Sequence, residues 1–335
     1  MLAQRLAERA LALVDVPSES RHEAALAQYV RETLGAADAG DGCIVVNPEA
    51  RVVLAGHLDT VPAQDNIPGR IEDGAVHGLG AADMKGSLAV MIELALAGTT
   101  PYGFVFFPRE ELPHVESSLT PLLEREPALR DTDLAIVMEP TAGAIHAGCV
   151  GNINARIVAT GRSGHSARPW TAENAIHRLA ERITAVAEQP YEEVEFEGLT
   201  FREAMSVVLV EGGIAQNVIP DRAQATVNYR YAPGRSARDA EDRLRAVVGD
   251  GLEIFSNAPS GAVPQGNAIV ERLRAMGLAW EPKQAWTPVA EFALAGVDAI
   301  NFGPGEPRYA HTRDELVRVD ALVQAYETLE ALCRG

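Results

Sequence analysis

Three short apolar runs, RVVLAG (51–56), YGFVFF (102–107) and LAIVM (134–138), are each followed within a few residues by acidic or imidazole side chains. An unbroken apolar run of this length reads as a strand buried on both faces. Between the first two lies MKGSLAVMIELALAG (84–98), which reads as a helix, with Asp83 placed to cap it. Buried strands alternating with helices predict an α/β domain, a mixed sheet covered by helices. In such sheets ligands bind beyond the carboxyl ends of the strands, so residues far apart in sequence can meet there in one cleft.

The middle of the chain reads differently. INARIVAT (153–160) alternates like a half-exposed strand, and TAENAIHRLAERITAVAEQ (171–189) is helical. MSVVLVEGG (205–213) and AQATVNYRY (223–231) are strands, SARDAEDRLRAVV (236–248) a helix, and LEIF (252–255) a short strand. The order β-α-β-β-α-β is that of a ferredoxin-like α+β unit. It is expected to span 150–258, between the glycines Gly148 and Gly151 and the turn-rich APSGAVPQG. Helix and strand alternate again from about residue 266, and AINFGPGEP (299–307) is a strand running into a turn. Residues 259–335 are therefore expected to rejoin 1–149, which makes the middle domain an insertion.

The 335 residues suit two domains at about 150 residues each. Acidic residues outnumber basic ones 47 to 29, a net charge of -18. Such a chain is repelled by nucleic acid and by anionic lipid, so neither is an expected partner. No apolar stretch is long enough to span a membrane. MLAQRLAERALALVDVPS reads as an amphipathic surface helix rather than a signal peptide. Cys43, Cys149 and Cys333 form no C-x-x-C, and a reduced, cytoplasmic chain is the expectation.

The groups that carry chemistry are His57 and Asp59, Asp83, the pair Glu110 and Glu111, Glu139, and His311. Alone, each has an ordinary explanation: a helix cap, a hydrogen-bonded structural histidine, a solvated turn, a strand stop before Pro140. Together, at one edge of one expected sheet, they suit two zinc or similar ions, with an aspartate and a water shared between them. Asp59 lies two positions after His57, so in an extended chain both point the same way and Asp59 can orient the imidazole. Glu110 and Glu111 are adjacent and point apart, so one can ligate metal while the other acts as general base.

G-H-L-D-T-V-P (56–62), G-A-A-D-M-K-G (80–86), R-E-E (109–111), M-E-P (138–140) and A-H-T-R-D-E (310–315) resemble the dizinc M20 metallopeptidases and deacylases. The resemblance covers the whole chain and includes G-R-S-G-H-S-A-R-P-W (161–170), Q-N-V-I-P-D (216–221), V-N-Y-R (227–230) and N-F-G-P-G (301–305). It implies a zinc-peptidase-like catalytic domain with an inserted lid and dimerisation domain, two Zn2+ per chain replaceable by Co2+, and a homodimer. It implies that His57, Asp83 and Glu139 serve one ion, with Asp83 bridging to a second held by Glu111 and His311. Glu110 matches the general base and Asp59 the His-orienting carboxylate. His165 matches a histidine that reaches the partner subunit's active site. Arg168, Asn217, Arg230, Thr287 and Gly303 match substrate-binding positions.

G-L-T-F-R-E (198–203) and N-Y-R-Y-A-P-G-R-S (228–236) resemble the actinobacterial branch that removes succinate from N-succinyl-L,L-diaminopimelate. The implied substrate is thus a small anionic N-acyl amino acid, whose carboxylates suit the forked guanidinium of Arg168 and Arg230, with Arg308 a weaker candidate. Pro288 and Glu291 depart from that branch, where an Asp and an Arg are usual. The alternatives are a deacylase for N-acetylornithine or an acyl-lysine intermediate, and a non-catalytic binding protein on the same scaffold.

Overall fold

In each apolar run, alternate residues enter opposite cores. The computed structural model describes residues 1–334. Leu54, Phe104, Phe106 and Ile136 pack into one buried cluster, while Val53, Ala55, Val105, Phe107, Ala135 and Val137 pack into another. Covering both faces removes any need for polar alternation, which is why these strands read as continuous runs.

The chain begins with helices α1 (Leu2–Val14) and α2 (Ala24–Leu34) and strands β1 (Ile44–Val46) and β2 (Val52–His57). A small hairpin, β3 (Arg70–Glu72) and β4 (Ala75–His77), leads to α3 (Gly86–Ala97) and β5 (Tyr102–Phe107). Then come α4 (Leu119–Arg125), β6 (Leu134–Val137) and β7 (Ile145–Ala147). The middle segment holds β8 (Gly151–Thr160), β9 (Gly164–His165), α5 (Ala175–Ala187), β10 (Glu192–Phe196), β11 (Leu199–Gly212), β12 (Val218–Ile219), β13 (Arg222–Tyr231), α6 (Ala237–Val248) and β14 (Leu252–Ala258). The chain continues through α7 (Ala268–Ala275), β15 (Trp280–Pro282), α8 (Val289–Leu294), β16 (Ala299–Asn301), β17 (Leu316–Arg318) and α9 (Val319–Arg334).

Two units result: residues 1–148, 261–283 and 287–335 form the first, and 149–260 with 284–286 the second. The first unit carries the mixed sheet β1-β5-β2-β6-β16-β7-β15. Its centre, β5, β2, β6 and β16, is parallel. Helices α1, α3 and α9 supply one core, and α4 and α8 the other. α3 is apolar on every side from Leu88 to Ile92, as a helix enclosed by protein must be.

The second unit has the sheet β10-β11-β13-β8-β14, all neighbours antiparallel. Helices α5 and α6 cover the face presented by Ile153, Ala155, Ile157, Val227 and Tyr229. Asn174 caps α5 by accepting from the Ile176 N–H at 2.9 Å, so the helix starts four residues later than 171. β10 is an addition to the expected strands. Its charged sequence EEVEF lacks an apolar run, yet it pairs with Leu199–Glu203 through the Glu197–Gly198 turn, where both residues have positive φ. The unit also extends past 150–258 because Gln284 and Trp286 bond to it. Gln284 accepts from the Arg202 N–H at 3.1 Å, and the Trp286 indole donates to Pro259 O at 3.0 Å. No helix among the described residues is long and apolar enough to cross a membrane.

Leu88 lies fully buried on α3 in the first core. Leu88→Ala should cost about 3 kcal/mol in denaturant unfolding, from lost transfer energy plus the cavity left behind. A cost below about 1 kcal/mol would mean that this helix is not close-packed.

Candidate metal centre

Register brings the functional positions to one level. His57 is the last residue of β2 and faces Phe107, the last of β5, while Ala55 faces Val137, the last of β6. Glu110, Glu111 and Glu139 therefore all follow strands that end at the same sheet edge. Asp83 comes from the turn before α3. Its φ of -127° and ψ of 91° are not helical, and the helix begins only at Gly86, so Asp83 is not a helix cap. What holds that turn is Glu315, a residue the sequence did not single out. Its carboxylate accepts the N–H groups of Gly80 at 2.8 Å and of Ala82 and Asp83 at 3.0 Å. The only hint was a glutamate four positions after His311. His311 itself has φ 60°, and its carbonyl accepts from Gln64 Nε2 at 2.9 Å. Both lysines brace this edge from inside: Lys85 Nζ donates to Val16 O at 2.8 Å and Lys283 Nζ to Pro140 O at 3.3 Å.

Asp83 faces two imidazoles. Its Oδ1 lies 3.0 Å from His57 Nε2 and its Oδ2 3.5 Å from His311 Nε2. His311 Nε2 is also 2.8 Å from Glu111 Oε1, and His57 Nε2 is 3.9 Å from Glu139 Oε1. His57, Glu110 and Glu139 offer ligand atoms within 4.8 Å of one another, as do His57, Asp83 and Glu111. Asp59 differs from expectation. It is the backbone carbonyl of Asp59 that meets His57 Nδ1, at 2.9 Å, whereas its carboxylate stands 3.7 Å away. That carboxylate instead accepts the N–H of Glu110 at 2.9 Å and of Glu111 at 3.0 Å. The chain turns after β2, so the extended geometry that would aim Asp59 at the imidazole does not persist.

Carboxylates outnumber imidazoles in the cluster, and its proton affinities reflect that. Burial raises Glu110 well above the carboxylate range, aided by the charge of Glu139. Burial, then Asp83, pushes Glu139 up to about 7. Burial would lower His57, but its bond to Asp83 lifts it well above its usual value. Bonds to Asp83 and Glu111 push His311 up to about 10. Burial would raise Asp83 as well, but the two imidazoles hold it far below the usual range. Carboxylates crowded in low dielectric hold protons more tightly. Glu139 Oε1 is buried with no hydrogen-bond partner. Nitrogen and oxygen donors, one of them orphaned, fit a pair of divalent cations.

The sequence profile of Peptidase family M20/M25/M40 matches residues 53–335. The chain belongs to this family. It is 40% identical to a provisionally named succinyl-diaminopimelate desuccinylase of Mycobacterium tuberculosis, over 98% of both chains. It is 35% identical to succinyl-diaminopimelate desuccinylase of Corynebacterium glutamicum, over 95% of this chain and 93% of the relative. Its fold is similar to that of a dinuclear metal-binding M20 peptidase from Bacillus subtilis, with TM-score 0.67 and 17% identity over 99% and 98% of the two chains. As an M20 member, the chain is a metallohydrolase.

The remaining motif residues are distributed as follows. Thr287 and Gly303 belong to the first unit. Thr287 is buried at the start of α8. The Gly303 N–H already donates to Thr141 Oγ1 at 3.0 Å, so it is not a free donor for substrate. A Cβ on Gly303 would lie 2.5 Å from the carbonyls of Met138 and Glu139, which accounts for glycine there. Glu291 turns away from the cluster: it is buried and accepts from the hydroxyl and N–H of Thr120, at 2.6 and 3.1 Å, at the start of α4. Arg308 is paired with Glu306 at 2.7 Å. His165, Arg168, Asn217 and Arg230 belong to the second unit. Arg230 Nε donates to Asn228 Oδ1 at 3.0 Å, and the Asn228 amide donates to Asn152 and Asn154 at 2.6 and 2.8 Å. This asparagine row was not read from the sequence; its signal was asparagine at alternate positions of NIN.

His311, pushed up to about 10, must lose a proton to ligate, and His57 is shifted in the same direction, so metal binding should release protons near neutral pH. The raised histidine values mean that apparent cobalt or zinc affinity rises from pH 6 to 8. Calorimetry in buffers of differing ionisation enthalpy measures this, and pH-independent binding would exclude these imidazoles as ligands.

Proposed function

We propose that the chain hydrolyses N-succinyl-L,L-diaminopimelate to succinate and L,L-diaminopimelate, a step towards lysine and cell-wall precursors, using two zinc ions. The observation that carries this reading is near full-length similarity, at 35% and 40% identity, to proteins of that name. In this reading His57, Asp83 and Glu139 would hold one ion, and Glu111 and His311 with Asp83 the other. Held there, the ions would polarise the amide carbonyl and acidify a water.

Glu110 takes the water's proton as the C–O bond forms and delivers it to the leaving nitrogen as the C–N bond breaks. Burial and the charge of Glu139 raise its proton affinity, the direction that suits a base that must also return the proton. His165 is exposed, and its Nδ1 accepts from the Ala167 N–H at 3.0 Å, which in the neutral ring leaves the proton on Nε2. Nε2–H is then the donor offered to the tetrahedral oxyanion of a partner subunit's site. Arg168, Asn217, Arg230 and Thr287 bind the substrate's polar ends. The asparagine row fixes the guanidinium of Arg230 before a carboxylate arrives, which lowers the entropy cost of a forked contact.

A homodimer through the second unit is part of this reading, and the edge of its sheet supports it. β10 pairs with β11 only as far as Glu203, and beyond that point Val208, Leu209 and Val210 are exposed at 54%, 62% and 59%. An unpaired apolar edge of this kind pairs with another chain. A cytoplasmic location belongs to the same reading.

Protein reconstituted with zinc or cobalt should turn over succinyl-diaminopimelate in preference to N-acetylornithine and acetyl-lysine. Preference for either competitor would replace the substrate while leaving the chemistry. Glu110→Gln should lower kcat by at least about 100-fold with metal content unchanged, and near-normal kcat would remove Glu110 as the base. Refolding an equal mixture of inactive His165→Ala and Glu110→Ala chains should restore roughly a quarter of wild-type activity, because half the dimers are mixed and each mixed dimer keeps one intact site. No recovery in proven mixed dimers would rule out the trans role.

A further inference from the structure

The connector between α1 and α2 reaches the glutamate pair through one hydroxyl. Ser20 Oγ donates to Asp59 Oδ2 at 2.8 Å. That same oxygen accepts the Glu111 N–H, and its twin Oδ1 accepts the Glu110 N–H. Asp59 is 1% exposed, so these three donors replace the water its charge would otherwise bind. The connector is itself fixed beside the end of β2: Ser20 N donates to Thr60 O at 3.1 Å, and Thr60 N to Ser18 O at 3.0 Å. The next residue, Arg21, forks onto Glu116 at 2.8–3.1 Å, beyond the glutamate pair in sequence.

We propose that Ser20 is a positioning residue for Glu110 and Glu111, acting through the Asp59 carboxylate; this rests on the roles of base and ligand assigned to that pair above. The physical reason is anchorage. A carboxylate that holds one backbone donor on each oxygen can still shift as one body with the two glutamates it carries. A third donor arriving at Oδ2 from a separate segment ties that body to the connector. Because Oδ2 also holds Glu111, loosening it disturbs the metal donor as well as the base. Groups one layer behind a metal ligand commonly change affinity or activity by about 10- to 100-fold.

The test compares Ser20→Ala, Ser20→Thr and Arg21→Ala in the full chain. Cobalt(II) is titrated into metal-free protein and followed by its visible absorption. Ser20→Ala should weaken the lower-affinity cobalt site by about 10-fold, and Ser20→Thr, which keeps the hydroxyl, should return it to within about 2-fold. At saturating cobalt, Ser20→Ala should lower kcat on succinyl-diaminopimelate by a similar factor with KM nearly unchanged, since the group does not touch substrate. Thermal midpoints separate this from general loosening and should agree across the set. Wild-type cobalt affinity in Ser20→Ala, or failure of threonine to rescue, overturns the proposal. An equal loss in Arg21→Ala also overturns it, because the connector would then act only as a brace. If wild-type protein binds cobalt but leaves succinyl-diaminopimelate intact, the substrate reading fails while the cobalt titrations still decide the role of Ser20.

Discussion

Glu315 accepts three backbone N–H groups from the turn that carries Asp83, and the metal-type cluster is arranged around that fixed point. A buried carboxylate needs donors in proportion to its charge, and the turn needs acceptors for N–H groups that no helix claims. Each satisfies the other. Asp83 is thereby held with its two oxygens towards imidazoles that come from opposite ends of the sequence. Asp59 repeats the device at the glutamate pair. Two carboxylates that need not touch an ion thus set the backbone of three groups that can.

This division explains what could be read from the sequence. The central strands were legible because burial on both faces writes itself as an apolar run. The candidate donors were legible because His57, Glu110, Glu111 and Glu139 fall at or just beyond the ends of those runs. Glu315 and the true partners of Asp59 were not, because a carboxylate that binds backbone N–H groups leaves no partner side chain in the sequence to pair it with. Asp83 looked like a cap for the same reason: an acid before an apolar helix is the usual cap pattern, and only the turn's dihedral angles tell the cases apart. β10 was missed because a strand at the rim of a sheet can keep charge on both sides and lose the apolar signature.

The two departures at 288 and 291 take on a different weight in the structure. Glu291 is absorbed into the packing of α4 against α8, where it serves the first-turn N–H and the hydroxyl of Thr120. The change therefore speaks to how a helix is anchored. In the second unit Arg230 is half-buried and its Nε is held by the Asn228 amide oxygen, which makes it the proposed donor for a substrate carboxylate.

The chain has 29 basic side chains, yet only Lys85 and Lys283 carry amines. They are 1% and 7% exposed, one beside the Asp83 turn and the other bonded to the residue after Glu139. Arginine carries the charge that meets solvent. Amine acylation, followed by mass spectrometry, consequently acts as a clock for local opening at this one edge of the sheet, because neither lysine can react until the backbone around the cluster gives way.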